Sequence, residues 1–432
     1  MDNRRQFLKK TGLAVATGMS SSLGAPIASL SKAGATSQRQ ASGDFEIRDI
    51  TWKMGSPMPW PTKGQAQAAI GDAILAAGSP GYPGWVPKAP QGRLNQLRDR
   101  GNHNSAWRLD TRTMKYEILP ELPVGIKWPQ GVSVGADFYV LTGWVIWPKD
   151  QNDPSSNRMF RLSKRSGSWR WKELPGLDIG RFSPGRGATV VGSTIVVLGG
   201  QASFGQPRRP PFSGDHPGVY VNAVEAFDTA SPESGWTHLP PFPSRARTSM
   251  ATTAIGQNIY LFGGIYINYA EHDSGPLGPY IRGCGDAYVF NLETQQWRRL
   301  PDVPRPVYGW DAAPYKDRYI IITGGIKDYP VEHPYQYQDR IAEVRSPNFD
   351  VLVFDTLKET YRVLPSQLPS YQAPAERRQQ LLENKGFDFS KGVYRLSAEL
   401  SRVGNKLYLC GGEVVSAHNV TDEVVIGTIQ ER

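Results

Sequence analysis

The chain has 432 residues, 39% apolar and 11% aromatic, which is too rich for a disordered polypeptide and enough to bury a large core. Its 45 glycines, 35 prolines and 12 tryptophans favour many short strands and turns over long helices, and two cysteines exclude a disulfide scaffold or a four-thiolate zinc module. The formal net charge is +9, and no uncharged apolar run approaches the roughly 20 residues of a membrane span.

The first element is an address. Arg4-Arg5-Gln6-Phe7-Leu8-Lys9 carries the twin-arginine pattern, a weakly apolar stretch runs from Gly12 to Ile27, and small residues follow at Ala33-Gly34-Ala35. Residues 1–35 are therefore expected to be a twin-arginine signal peptide, 36–44 a linker and 45–432 the folded body, exported to the periplasm or beyond. Removing the leader lowers the net charge to +5, ordinary for this length, so charge makes no case for nucleic acid.

Next comes an isolated strand, Phe45-Glu46-Ile47-Arg48-Asp49-Ile50-Thr51-Trp52, and then a repeat. A turn dipeptide, four or five apolar residues and a glycine doublet (or its relic) end at Gly78, Gly143, Gly200, Gly264, Gly325 and Gly412. Downstream of five of these marks lies an aromatic shortly before Leu-Pro: Tyr116, Trp171, Trp236, Trp297 and Tyr361. Each unit reads as four antiparallel strands, with the glycines where backbones approach closely and the aromatic between neighbouring sheets. The sixth unit lacks its outer strand, because the chain ends soon after Val424-Val425-Ile426. The isolated N-terminal strand is expected to complete that sheet, closing a ring without free edges. These features resemble kelch-repeat β-propellers, which implies an all-β, six-bladed kelch-type propeller whose last blade is closed by an N-terminal strand.

In such a blade the 1–2 and 3–4 turns share one face and the 2–3 and 4–1 connections share the other. The 2–3 connections Ser79 to Ser105, Gln201 to Asn222, Ile265 to Asp286 and Ile326 to Phe349 are long, and so is the 4–1 connection from Ser366 to Tyr394, where Ala375 to Glu383 is expected to be helical. The decoration thus gathers at one mouth of the central channel. Its aromatics and scattered polar groups suit a sugar or glycan, and a protein partner would use the same residue types. Lys63, Lys127, Arg186, Arg247, Arg305 and Arg395 each precede a glycine mark by a similar interval. They either raise a positive potential for an anionic ligand or tie adjacent blades together. The ligand-binding set read from these patterns is Arg186, Arg247, Arg305, Arg395, Trp310, His272 and His333.

Two framework segments, Ser105-Ala106-Trp107-Arg108-Leu109-Asp110 and Cys410-Gly411-Gly412-Glu413 with Val420 to Ile426, resemble the bacterial periplasmic N-acetylneuraminate mutarotases (epimerases), themselves six-bladed kelch propellers. The resemblance implies an isomerase in which a carboxylate takes the anomeric hydroxyl proton, the ring oxygen is protonated and a guanidinium forks the sugar carboxylate. The family's glutamate directly after a middle-blade doublet is replaced here by Ile265 and Ile326. Glu271 and Arg282 in the fourth blade's loop and Glu413 after the last doublet are the catalytic candidates. A non-catalytic propeller binding glycans or proteins is the alternative. Neither cofactor nor metal is expected: Glu271-His272-Asp273 and Glu332-His333 are adjacent residues, which rarely converge on one ion. A copper-radical centre would need a tyrosine–cysteine crosslink, and Cys284 is the only loop cysteine.

Overall fold

In the computed structural model the described residues are 46–78, 104–147, 156–183, 185–202, 219–268, 280–327, 346–372, 392–414 and 420–432. Six four-stranded antiparallel sheets follow one another along the chain, and they are the six blades of a β-propeller. Blade one comprises Ala66–Ile70, Ala73–Ala77, Ala106–Asp110 and Lys115–Leu119; blade two Gln130–Val134, Asp137–Leu141, Met159–Arg165 and Ser168–Leu174. Blade three comprises Ala188–Val191, Thr194–Leu198, Val224–Asp228 and Trp236–Leu239; blade four Ala251–Ile255, Asn258–Phe262, Ala287–Asn291 and Gln296–Leu300. Blade five comprises Val307–Tyr315, Tyr319–Lys327, Asp350–Asp355 and Thr360–Gln367. Blade six takes Glu399–Val403, Lys406–Cys410 and Val424–Glu431, and its outer strand is Ile47–Met54 from the other end of the chain. The pairing Thr51↔Thr428 and Met54↔Val425 closes the ring as the sequence predicts.

The local chemistry explains these strands. Second strands such as Thr194–Leu198 are buried from their second residue on because each blade is sandwiched between two others, so they read as apolar runs. Outer strands such as Gln296–Leu300 bury one residue, Leu300, pack a half-buried aromatic, Trp297, against the core and turn the rest outward. Apolar clusters span consecutive blades: Leu75 and Leu119 of blade one pack with Phe138 and Phe160 of blade two, and Phe262 of blade four packs with Ile322 and Phe354 of blade five.

Two rows of hydrogen bonds stitch the blades. On the inside, the second glycine of one blade donates its N–H to the segment entering the next blade: Gly143 to Arg181 O (2.7 Å), Gly200 to Arg247 O (2.9 Å), Gly264 to Val307 O (3.2 Å), Gly325 to Arg395 O (2.9 Å) and Gly412 to Thr62 O (2.8 Å). Gly264 shows why the residue must be glycine: its φ is +105°, and a Cβ would sit 2.8 Å from Thr248 O. On the outside, the outer-strand aromatics of blades two to five donate to the proline carbonyl of the preceding blade, while Tyr116 OH of blade one donates to Ser56 O (3.0 Å). The bonds are Trp171 Nε1 to Pro120 O (2.8 Å), Trp236 Nε1 to Pro175 O (2.9 Å), Trp297 Nε1 to Pro240 O (2.8 Å) and Tyr361 OH to Pro301 O (2.9 Å). The aromatic-then-Leu-Pro signature is thus one donor and one acceptor of a repeated seam. The seam between blades five and six departs from it: Trp52 Nε1 has no partner among the described residues, and Ser366 N bonds Asp49 Oδ1 (3.1 Å) while Arg362 pairs with Glu46 (3.0 Å).

The stems of the long 2–3 connections rise as ribbons, Gln201–Ala202 with Val219–Tyr220 and Ile265–Asn268 with Tyr280–Gly283, and in blade five Ser346–Pro347 pairs with the end of Tyr319–Lys327. The interiors of these connections and the helix expected at Ala375 to Glu383 lie outside the described residues.

Candidate functional site at the channel mouth

The basic residues entering the inner strands do different jobs. Arg247 is 1% exposed, and its guanidinium clamps Asp286, where the same blade's third strand begins, through Nη1–Oδ1 (2.5 Å) and Nη2–Oδ2 (2.7 Å), with further bonds to Gly263 O (3.1 Å) and Ser244 Oγ. Burial works to raise the Asp286 carboxyl, but the bonds and charge of Arg247 outweigh it and hold the group at about 2. Arg395 likewise pairs with Glu423 and bonds Pro369 O; burial lowers the arginine and raises the glutamate. In blade three this position belongs to Arg181, paired with Glu225 (2.8 Å) among fully buried groups. Arg247 and Arg395 are therefore blade clamps and not groups that greet a ligand. Arg305 is exposed on the turn before blade five, and Val307 occupies the register position there. Trp310 is buried between blades four and five, with Nε1 donating to Phe262 O (3.2 Å), so its ring serves the core.

Arg186 is different. It lies beyond Arg181, on a segment that blade two holds in place: Gly187 N donates to Gln130 Oε1 (2.6 Å), and Gln130 Nε2 donates to Ser183 O (3.0 Å) and Gly185 O (3.1 Å). From there the side chain crosses the ring. Nε and Nη2 bond Asp311 Oδ1 and Oδ2 of blade five (2.6 and 2.9 Å), and Nη2 also bonds Leu400 O of blade six (3.0 Å). Blades three and six face each other in a six-membered ring, so this guanidinium lies across the central channel. The Glu399 carboxyl stands 3.8 Å from Nη2. Asp311 also accepts from Ala312 N and Leu400 N (both 2.7 Å). Gln67 of blade one donates to Glu399 O and Ser401 Oγ (both 3.0 Å). Burial and the Asp311 charge drive the Glu399 carboxyl well above the usual carboxylate range, against the pull of Arg186.

A second cluster lies on the rim. Glu413 is buried and ion-paired with Lys63 of the neighbouring blade (2.5 Å), so it ties blade six to blade one. Lys63 and Lys127 both lie over Trp128 (5.8 and 5.6 Å), which stacks on Phe182; Trp144 meets Phe182 edge-on. Of the remaining candidates, Glu271, His272 and His333 lie outside the described residues. Arg282 is placed by its backbone opposite Tyr266 in the blade-four ribbon, at the same mouth.

Among the described residues, Asp178, Glu225 and His238 form a group whose ligand atoms lie within 4.8 Å of one another. Glu225 is already committed to Arg181 and to Asp178 N (2.9 Å), and His238 Nε2 meets Asp178 Oδ2 (2.8 Å). A guanidinium at that distance competes with a cation, so this is an ion-pair network and not a metal centre.

Sequence reasoning missed Asp311, Glu399 and Gln67. For Gln67 and Asp311 the signal was present, each a polar residue inside an inner strand that is largely small or apolar; Glu399 opens a strand that also carries Ser401 and Arg402, and does not stand out.

With this geometry in hand, comparison with known proteins is informative. No protein-family model matches the chain. N-acetylneuraminate epimerase of Yersinia enterocolitica is 30% identical over 101 residues, 23% of this chain and 24% of that protein. The Kelch-like protein terF of Aspergillus terreus is 26% identical over 220 residues, 49% of this chain and 42% of the relative. N-acetylneuraminate epimerase of Haemophilus influenzae is 25% identical over 193 residues, 44% and 47% of the two chains. The chain spans between about a quarter and a half of the length of these relatives. It is a kelch propeller that resembles the epimerase.

Proposed function

We propose that this chain is an exported kelch propeller directed at an acidic sugar, and that it accelerates the interconversion of anomers of a sugar acid such as N-acetylneuraminate. The observation that carries the reading is Arg186. Its guanidinium is locked across the channel by Asp311 and Leu400, while Nη1 donates to no described residue and 15% of the side chain remains exposed. A fixed guanidinium whose two Nη1 hydrogens meet no described residue suits a sugar carboxylate, because the cost of orienting it is met in folding and not on binding. The names of two of the relatives support the same substrate class.

Anomerisation asks little of a protein. The anomeric hydroxyl must lose a proton while the ring oxygen gains one, and the reaction calls for neither metal nor redox cofactor. The test is anomer-resolved proton NMR of freshly dissolved N-acetylneuraminate with the mature protein. Equilibration faster than in buffer is the expected result. A rate equal to buffer would remove the isomerase reading and leave a propeller that binds glycans or proteins without catalysis. Export is tested by fusing residues 1–45 to a reporter: Arg4→Lys with Arg5→Lys should strand it in the cytoplasm.

A further inference from the structure

We infer that Glu399 is the proton-exchanging residue of the channel, acting on the anomeric centre of the bound sugar as a carboxylic acid that gives a proton from one oxygen and takes one at the other. This rests on the anomerase reading above.

Hydrogen bonds tell the two carboxyls apart. Two carboxyls, Asp311 and Glu399, share one guanidinium. Asp311 receives four N–H donors: Arg186 Nε and the Ala312 amide on Oδ1, Arg186 Nη2 and the Leu400 amide on Oδ2. Acceptor-only bonding on both oxygens fixes Asp311 as the ionised partner. Among the described residues the Glu399 side chain accepts no hydrogen bond, and its one ion-pair partner there is Arg186 Nη2 at 3.8 Å. It is 8% exposed. Around it stand Arg186, Asp311 and, across the strand pair, Cys410, whose thiol burial pushes up; Gln67 holds the Glu399 main chain and Ser401. None of these compensates a second negative charge. Like-charged carboxyls in one buried site separate into an ion and an acid, and Glu399 is the acid.

A neutral carboxyl is the form that bifunctional exchange requires. Glu399 passes its proton to the ring oxygen as the bond between that oxygen and the anomeric carbon breaks, and the bonding pair stays on the ring oxygen. The anomeric hydroxyl gives its proton to the other Glu399 oxygen, and its O–H pair becomes the carbonyl π bond. The open chain turns and recloses on the opposite face by the same transfers in reverse. Glu399 ends with the one proton it began with, nothing is oxidised or reduced, and no co-reactant enters.

The experiment measures anomerisation by NMR for wild type, Glu399→Gln, Glu399→Asp and Asp311→Asn, with N-acetylneuraminate binding followed by calorimetry. Glu399→Gln should lower the catalysed rate at least 100-fold, at the low end of what proton transfer contributes, while the sugar still binds with affinity within about threefold. Wild-type rate should fall as pH rises through the Glu399 titration. Asp311→Asn, by removing the like charge and freeing Arg186, should move that fall to lower pH. A wild-type protein that accelerates with an equally active Glu399→Gln overturns the role of Glu399 and leaves the anomerase reading standing. A wild-type protein with no acceleration overturns both. Should Glu399→Gln melt early, the pH profile of Asp311→Asn decides, and an unmoved profile refutes the proposal.

Discussion

Replacing Asp286 by alanine tests the reading of the rim arginines as clamps. The change leaves Arg247, 1% exposed, with bonds to Arg245 O, Gly263 O and Ser244 Oγ but with no counter-charge. Removing one member of a buried pair costs about 3–5 kcal/mol, because the surviving charge stays desolvated. A unit of this size unfolds with an entropy of about 0.8 kcal/mol per kelvin, so Tm should fall by about 4–6 °C in calorimetry at pH 7. The double variant Arg247→Met, Asp286→Leu should recover most of that loss. Acid adds a second signature. The folded Asp286 titrates at about 2, below its ordinary 3.8, so its stabilisation is complete above that ordinary value and is lost as pH falls towards 2. Asp286→Asn should lack that component. An Asp286→Ala protein with unchanged Tm, or a double variant no better than the single, would refute the clamp.

Three further outcomes follow from packing and pairing. Gly131→Ala should cost about 1–3 kcal/mol or more, since its Cβ would lie 2.1 Å from the Gln67 amide nitrogen of the neighbouring blade, whereas Gly135→Ala, at φ +59° with nothing within 4 Å, should cost about 1 kcal/mol; chemical denaturation separates the two. Deleting residues 46–54 uncovers the edge of Val424–Glu431, and size-exclusion chromatography should show larger species than the intact protein gives. Cys284 and Cys410 are both buried, so Ellman's reagent should find almost no thiol in the native protein and two after denaturation.

The ring was legible in the sequence because its seams are local and repeated. A glycine at positive φ cannot be disguised, and an aromatic must sit at a fixed distance from Leu-Pro to reach the neighbouring carbonyl. The site was less legible because its bonds are not local. Arg186 meets Asp311 across 125 positions of chain, and Lys63 meets Glu413 across 350. Counting back from the glycine doublet put Arg186 in line with Arg247 and Arg395, but the clamp in blade three is Arg181. The bonds of Gln130 to Ser183, Gly185 and Gly187 are what send Arg186 into the channel. Blade five shows the converse: Arg305 has the right interval, but Val307 holds the register and the arginine points to solvent.

The two repeated rows of stitches between blades end on main-chain oxygens, whether the donor is a glycine amide or an indole. The described side chains that do accept across a seam at the rim, Gln130 and Glu413, sit on or directly beside the blade strands, so the connections beyond the ribbon stems can be lengthened, shortened or exchanged without the frame noticing. Grafting foreign loops between the ribbon stems should then alter what the protein recognises while its melting behaviour stays put, making the ring a chassis for engineered recognition.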